Sequence, residues 1–251
     1  MRRMSPRVRQ WLPWLIALLA VVARVLPTPR TIDDAFITFR YARNLLEGLG
    51  FVYNAGERVL GTTTPLYTLL MAALSFITGS DNFPWLALWV NALADAATCL
   101  LLVALGYALT GRRAVGLGTA LLWAIAPMSV TFAIGGMETS VFIFLLVLTS
   151  YLYVIGATRL AALTGALVVL TRPDGLLLVG LLMVDLVARG LRRRRLPWGE
   201  AGLFTLTLLP WALFATLYYG SPVPQSIAAK LAVYRLPAEA ALVRLMQHYG
   251  T

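Results

Sequence analysis

The sequence predicts an all-α protein: a polytopic membrane helix bundle of about seven spans, with an external loop that carries amphipathic juxtamembrane helices. Three observations predict it. Apolar residues fill 59% of 251 positions against 13% charged, and the mean hydropathy of +0.77 lies far above that of a soluble domain. These residues form near-continuous segments separated by short polar turns, rather than the period-two alternation of strands. The formal charge of +10 gathers in short basic clusters between those segments, as membrane topology requires. Nothing resembles a basic stripe with interleaved aromatics, so no nucleic-acid partner is expected.

The first apolar run, Trp11 to Leu26, follows Arg2, Arg3, Arg7 and Arg9 and is not followed by a small-residue cleavage pattern. It reads as an uncleaved first span with the N-terminus in the cytoplasm. Further apolar segments run over 65–78, 84–109, 114–134, 139–157, 160–171, 175–188 and 197–219. The segment 65–78 is short for a crossing, which needs about 20 residues. If it does not cross, twelve of the 21 basic residues lie inside and eight of the eleven acids outside. If it crosses, Arg192 to Arg195 fall outside, against the positive-inside rule. It is therefore read as a juxtamembrane helix in the outer leaflet, which leaves seven spans and an external C-terminal tail. The segment 160–171 is short enough to be a partial helix buried against its neighbours. Asp95 stands within an apolar segment, where an interhelical hydrogen bond is the expected use of a carboxylate.

The longest polar interruption runs from Thr31 to Pro65 and holds four of the eleven acids, opening with Asp33 and Asp34. Arg40, Arg43, Asn44 and Glu47 share one helical side, while Phe36, Phe39, Ala42 and Leu46 lie on another, which predicts an amphipathic interfacial helix. Gly48 and Gly50 end it, and Asn54 to Gly56 mark a turn. The acids have two readings: a pair placed for chemistry, or a capping box from Thr31 to Asp34 at a helix N-terminus.

Four motifs fall on the outer side in this topology: Asp33–Asp34, GGMET around Glu138, TRPDG around Arg172 and Asp174, and YYGSPVPQSIAAK from Tyr218 to Lys230. Each alone also reads as a turn or helix end. Together the acids form a candidate acid/base or metal centre, with Arg172 and Lys230 as candidate phosphate ligands and Tyr219 and Gln225 as further site candidates. One cysteine, Cys99, excludes an internal disulfide, and the lone His248 lends nothing to a His-based triad. Carboxylates must supply any acid or base. Asp33, Asp34 and Glu138 are compatible with a divalent cation held by oxygen ligands and equally with metal-free base catalysis.

The order of these features resembles the GT-C superfamily of integral membrane glycosyltransferases. DDAFITFRYARNLLEGLGFVYNAGERVLGTTTPLYTLL, GGMETSVF, TRPDG and YYGSPVPQSIAAK are similar to its arabinofuranosyltransferase-like branch. The resemblance implies one transmembrane domain over 1–251 with an external catalytic loop over 28–83, as the N-terminal part of a longer architecture. It implies a multi-pass protein of the plasma membrane that transfers a sugar, such as the pentofuranose arabinofuranose. The donor would be a polyprenyl-phosphate-linked sugar, and the acceptor a cell-envelope glycan, lipid or protein on the extracytoplasmic face. Asp33 would be the general base with Asp34 beside it, and Lys230, Arg172, Arg40 and Arg43 would hold the donor phosphate. Two other readings are a transporter or flippase component, which would place charges at mid-membrane, and a noncatalytic remnant or partner subunit.

Overall fold

The computed structural model describes residues 6–192 and 194–224. Among them the chain is helical, without strands: α1 Pro6–Val25, α2 Asp33–Leu46, α3 Pro65–Thr78, α4 Phe83–Thr110, α5 Arg113–Ile125, α6 Pro127–Ile134, α7 Thr139–Val154, α8 Thr158–Thr171, α9 Leu176–Arg192 and α10 Trp198–Tyr219. A 3₁₀ turn, Pro173–Gly175, joins α8 to α9. By length and composition α4 and α10 can each cross a membrane, and α5 with α6 makes a third crossing if the bent pair is one span. Gln10–Val25, α3, α7 and α8 are shorter apolar helices.

The expected continuous segment 114–134 is two helices meeting at 52°. Pro127 causes the break, because its ring excludes the α conformation at the residue before it and it has no N–H for the carbonyl four residues back. Ala126 accordingly takes an extended conformation, with φ −61° and ψ 122°. Carbonyls freed in this way are costly in an apolar interior. The fully buried Arg24 of α1 satisfies them, donating from Nη1 to Ala124 O at 2.9 Å and from Nη2 to Trp123 O at 3.4 Å and Ser129 Oγ at 2.9 Å. Its Nε pairs with Asp95 of α4. Asp95 also accepts from Trp123 Nε1 at 3.2 Å and from Ser140 Oγ of α7 at 3.1 Å, so the interhelical bond expected of it is present.

Small residues let these helices approach. Ala20, Ala120 and Ala124 are fully buried beside Ile16 and Cys99, so Cys99 is a packing residue. A Cβ on Gly106 of α4 would lie 2.6 Å from the Gly116 Cα of α5, so this crossing tolerates no side chain. A second core joins Ala35, Phe39 and Ala42 of α2 to Tyr67 and Met71 of α3 and to Phe83 and Ala87 of α4. It holds the polar loop against the bundle.

The two faces read into α2 need correction. Phe39 and Ala42 are buried as expected, but Phe36 and Leu46 are exposed. Asn44, placed on the polar side, is buried and donates through Nδ2 to Val52 O at 2.8 Å and Tyr53 O at 2.9 Å. The returning loop over 51–53 covers that side of the helix. Periodicity sees only the helix, so it assigned the covered side to solvent.

Candidate functional site

The site begins where α2 begins. Its N-cap is Ile32, and no side chain caps the first turn, so the expected Thr31–Asp34 capping box does not form. Asp33 and Asp34 stand exposed in that turn, without a side-chain hydrogen bond or ion pair among the described residues. The helix dipole favours negative charge there. Two acids left open at a helix start are available to a ligand in a way that a satisfied cap would not be.

The chain leading into α2 is stitched to the GGMET turn. Arg30 N donates to Ile134 O at 2.9 Å, and Ile32 N to Gly135 O at 3.1 Å. Gly136 has φ +81°, and a Cβ there would press within 3.3 Å of Phe39 and Thr31. Only glycine gives both the conformation and the clearance. The turn is fixed from below by buried Asn91, whose Nδ2 donates to Ala133 O at 3.0 Å and Met137 O at 2.9 Å, and by Tyr67, whose hydroxyl donates to Gly136 O at 3.2 Å. A polar atom buried among apolar helices is retained here because it satisfies backbone that a turn leaves open.

Glu138 closes the turn as the N-cap residue of α7 and is 3% exposed. Arg172 Nη1 donates to its Oε1 at 3.1 Å, while Nε and Nη2 donate to Asp174 Oδ1 and Oδ2, both at 3.1 Å. Thus GGMET and TRPDG meet, and through the 30–32 segment both adjoin the Asp33–Asp34 turn. Arg172, expected as a phosphate ligand, is one cation held between two carboxylates. Among the described residues no group of three or more His, Cys, Asp and Glu side chains could hold a metal ion, so Asp33, Asp34 and Glu138 do not converge as such a group.

Burial pushes the Glu138 carboxyl above the usual carboxylate range, against its own backbone amide and the pull of Arg172. The Arg172 guanidinium is pushed up by its hydrogen bonds to Asp174 and stays charged. A carboxyl raised by folding contributes stability fully below its unfolded value of about 4.3, and that contribution is lost as pH rises through the folded value. Glu138→Gln fixes the neutral form. The melting temperature of the wild type relative to this variant should therefore fall between pH 4 and pH 7. An equal difference at both pH values would contradict the assignment.

The fourth motif reaches the loop after α2. Tyr219 Oη donates to Phe51 O at 2.5 Å, and the Arg58 guanidinium lies 4.7 Å over the Tyr218 ring. Gln225 and Lys230 lie outside the described residues. Three cavities border the segment that follows α2. One of about 390 Å³ is lined by Phe36, Phe39, Arg40, Arg43, Tyr53 and Phe83. Another of about 290 Å³ lies beside Ile37, Tyr41, Tyr53, Asn54, Glu57 and Val59. The third, about 280 Å³ and mostly apolar, lies between Thr62, Pro65, Leu170, Pro173, Trp211 and Val223. Arg40 donates from Nε to Tyr53 O at 2.8 Å and stacks over the Tyr53 ring, while Arg43 lies over Phe83. Neither arginine has a carboxylate partner among the described residues.

Sequence reasoning missed Asn91, Tyr67 and Arg24. The signal for Arg24 was present, since an arginine in one apolar segment and an aspartate in another can each enter a bundle most cheaply as a pair.

Compared with known proteins, the chain is 33% identical over 218 residues to the terminal β-(1→2)-arabinofuranosyltransferase of Mycobacterium tuberculosis. The match covers 79% of this chain and 34% of that protein, so the chain spans about a third of the length of the curated relative it matches. No family model matches the chain, and no solved structure does.

Proposed function

We propose that this chain is the catalytic membrane portion of a GT-C-type glycosyltransferase. It moves a pentofuranose from a polyprenyl-phosphate donor to a cell-envelope acceptor on the extracytoplasmic face. The observation that carries this reading is the similarity to an arabinofuranosyltransferase over 218 residues, a stretch long enough to include several of the motifs that meet at one end of the bundle. The proposed topology is seven spans with a cytoplasmic N-terminus, which puts Asp33, Glu138, Arg172 and Asp174 outside and the 192–195 arginines inside. The transporter reading is not favoured by the mid-bundle charges, because Arg24 and Asp95 neutralise each other and are fully enclosed rather than lining a path.

In the proposed reaction an acceptor hydroxyl gives its proton to the Asp33 carboxylate as its oxygen bonds to the anomeric carbon. The anomeric C–O bond to phosphate breaks, and the phosphate leaves with the bonding pair. Asp34 lies beside the base. Arg40 and Arg43 are the strongest phosphate candidates, because their guanidiniums line a cavity while Arg172 is engaged by Glu138 and Asp174. Lys230 remains a candidate.

Charged hydrogen bonds to phosphate contribute about 1.5–3 kcal/mol each, so Arg40→Ala or Arg43→Ala should raise the donor KM by roughly one to two orders of magnitude. Donor titration in purified membranes, with a polyprenyl-phosphoryl pentofuranose and a labelled acceptor, tests both points. Absence of transfer by the wild-type protein would remove the enzymatic reading, whereas transfer with an unchanged donor KM in both variants would remove only the phosphate assignment.

A further inference from the structure

The cavities on the two sides of α2 differ in charge. The larger carries Arg40 and Arg43. Among the described residues the smaller has no basic side chain in its lining, and it offers instead the Asn54 amide, the Glu57 carboxylate and Tyr53, which lines both. From these contrasts we infer that the smaller cavity is the acceptor subsite and binds an uncharged furanose ring, an assignment that rests on the glycosyltransferase reading above.

Three observations carry it. Glu57 repels a phosphate but accepts from hydroxyls, and Asn54 offers both a donor and an acceptor. These two side chains are already set against each other, Asn54 Nδ2 donating to Glu57 Oε2 at 3.0 Å, so neighbouring hydroxyls of one sugar can bridge them. Beside them Tyr53, Ile37 and Val59 supply apolar surface for the C–H face of a ring. The polar rim of this cavity is also held in place, because the Tyr41 hydroxyl donates to Val59 O at 2.6 Å and accepts from Gly61 N at 2.9 Å.

The position of Asp33 gives the division its chemical sense. Phe36 lines the cationic cavity and Ile37 the one that holds Glu57. They are three and four residues beyond Asp33, one helical turn on and to either side of it, and helical side chains lean back toward the N-terminus. Asp33 therefore heads the boundary between the cavities. A base that must take a proton from one substrate as its oxygen meets a carbon of the other belongs at such a boundary.

The test uses octyl arabinofuranoside as the acceptor probe, with the full chain in detergent. Direct binding is read by saturation-transfer NMR, and KM is read for each substrate separately. Glu57→Gln and Asn54→Ala should each raise the acceptor KM by about tenfold and leave the donor KM within about twofold, the loss expected for one hydrogen bond to a sugar hydroxyl. Val59→Trp, which fills the cavity, should abolish probe binding while Arg43→Ala preserves it. An unchanged acceptor KM in all three loop variants, or a change in donor KM instead, overturns the assignment while transfer by the wild type continues to support the enzyme. If the wild type binds the probe but transfers nothing, the enzymatic reading fails, and loss of probe binding in Val59→Trp still supports the cavity as a furanose site. A wild type that does not bind the probe overturns the proposal.

Discussion

In Asp33→Asn, transfer at saturating donor is expected to fall by at least about a hundredfold, because a positioned general base is worth roughly 10² to 10⁴ in rate. The asparagine keeps the shape of the side chain and removes only its capacity to take a proton. Stability should stay near wild type, since Asp33 makes no side-chain hydrogen bond among the described residues and Ile32, not an acid, is the N-cap residue. That separation is sharper than sequence alone allowed, where a capping role for the acids would have tied activity to folding. Asp34→Asn should cost less, unless the two acids share a bound cation. Rates and thermal unfolding measured on the same preparations decide it. If Asp33→Asn transfers sugar at close to the wild-type rate, the base lies elsewhere, and Glu138 is then disfavoured by its burial and its bond to Arg172.

Element positions were legible in the sequence because apolar runs bounded by glycine and proline are local signals. The segment 65–78 is the helix Pro65–Thr78, led by Pro65 at its first turn and closed by Gly79 in the left-handed conformation. Pro127 was equally visible, yet the segment around it was read as unbroken, because hydropathy averages over a single missing N–H. The structure joins Asp33–Asp34, GGMET and TRPDG through backbone pairing at 30–32 with 134–135 and through the Glu138–Arg172 pair. What each charged side chain does within that cluster was not legible. Arg172 looked like a free cation because its partners, Glu138 and Asp174, are set by a turn and by a helix 34 residues earlier in the chain. Asn44 looked solvated because the loop that covers it follows the helix. Contacts made across a fold leave no period in the sequence.

Replacing either partner of the Arg24–Asp95 pair should cost about 3–5 kcal/mol, because one buried charge is then left without its counter-ion. Both side chains are fully buried, so solvent does not screen the loss. Arg24→Met strands Asp95 and also the Ala124 carbonyl at the Pro127 break, while Trp123 O keeps its bond from Ser129 Oγ at 2.8 Å; Asp95→Leu strands only the guanidinium and the Trp123 and Ser140 donors. The double variant Arg24→Met/Asp95→Leu removes both charges and should recover much of the loss. It should remain below wild type, because the Ala124 carbonyl still lacks the partner that Arg24 supplied. Ser140 is two residues from Glu138, so loosening Asp95 should also reach the turn that carries the site and lower transfer in parallel with stability. Reversible unfolding in mixed micelles, followed through tryptophan fluorescence, measures the whole series. Single substitutions that cost less than about 1 kcal/mol, or a double variant no more stable than either single one, would show that this buried pair does not hold the bundle together.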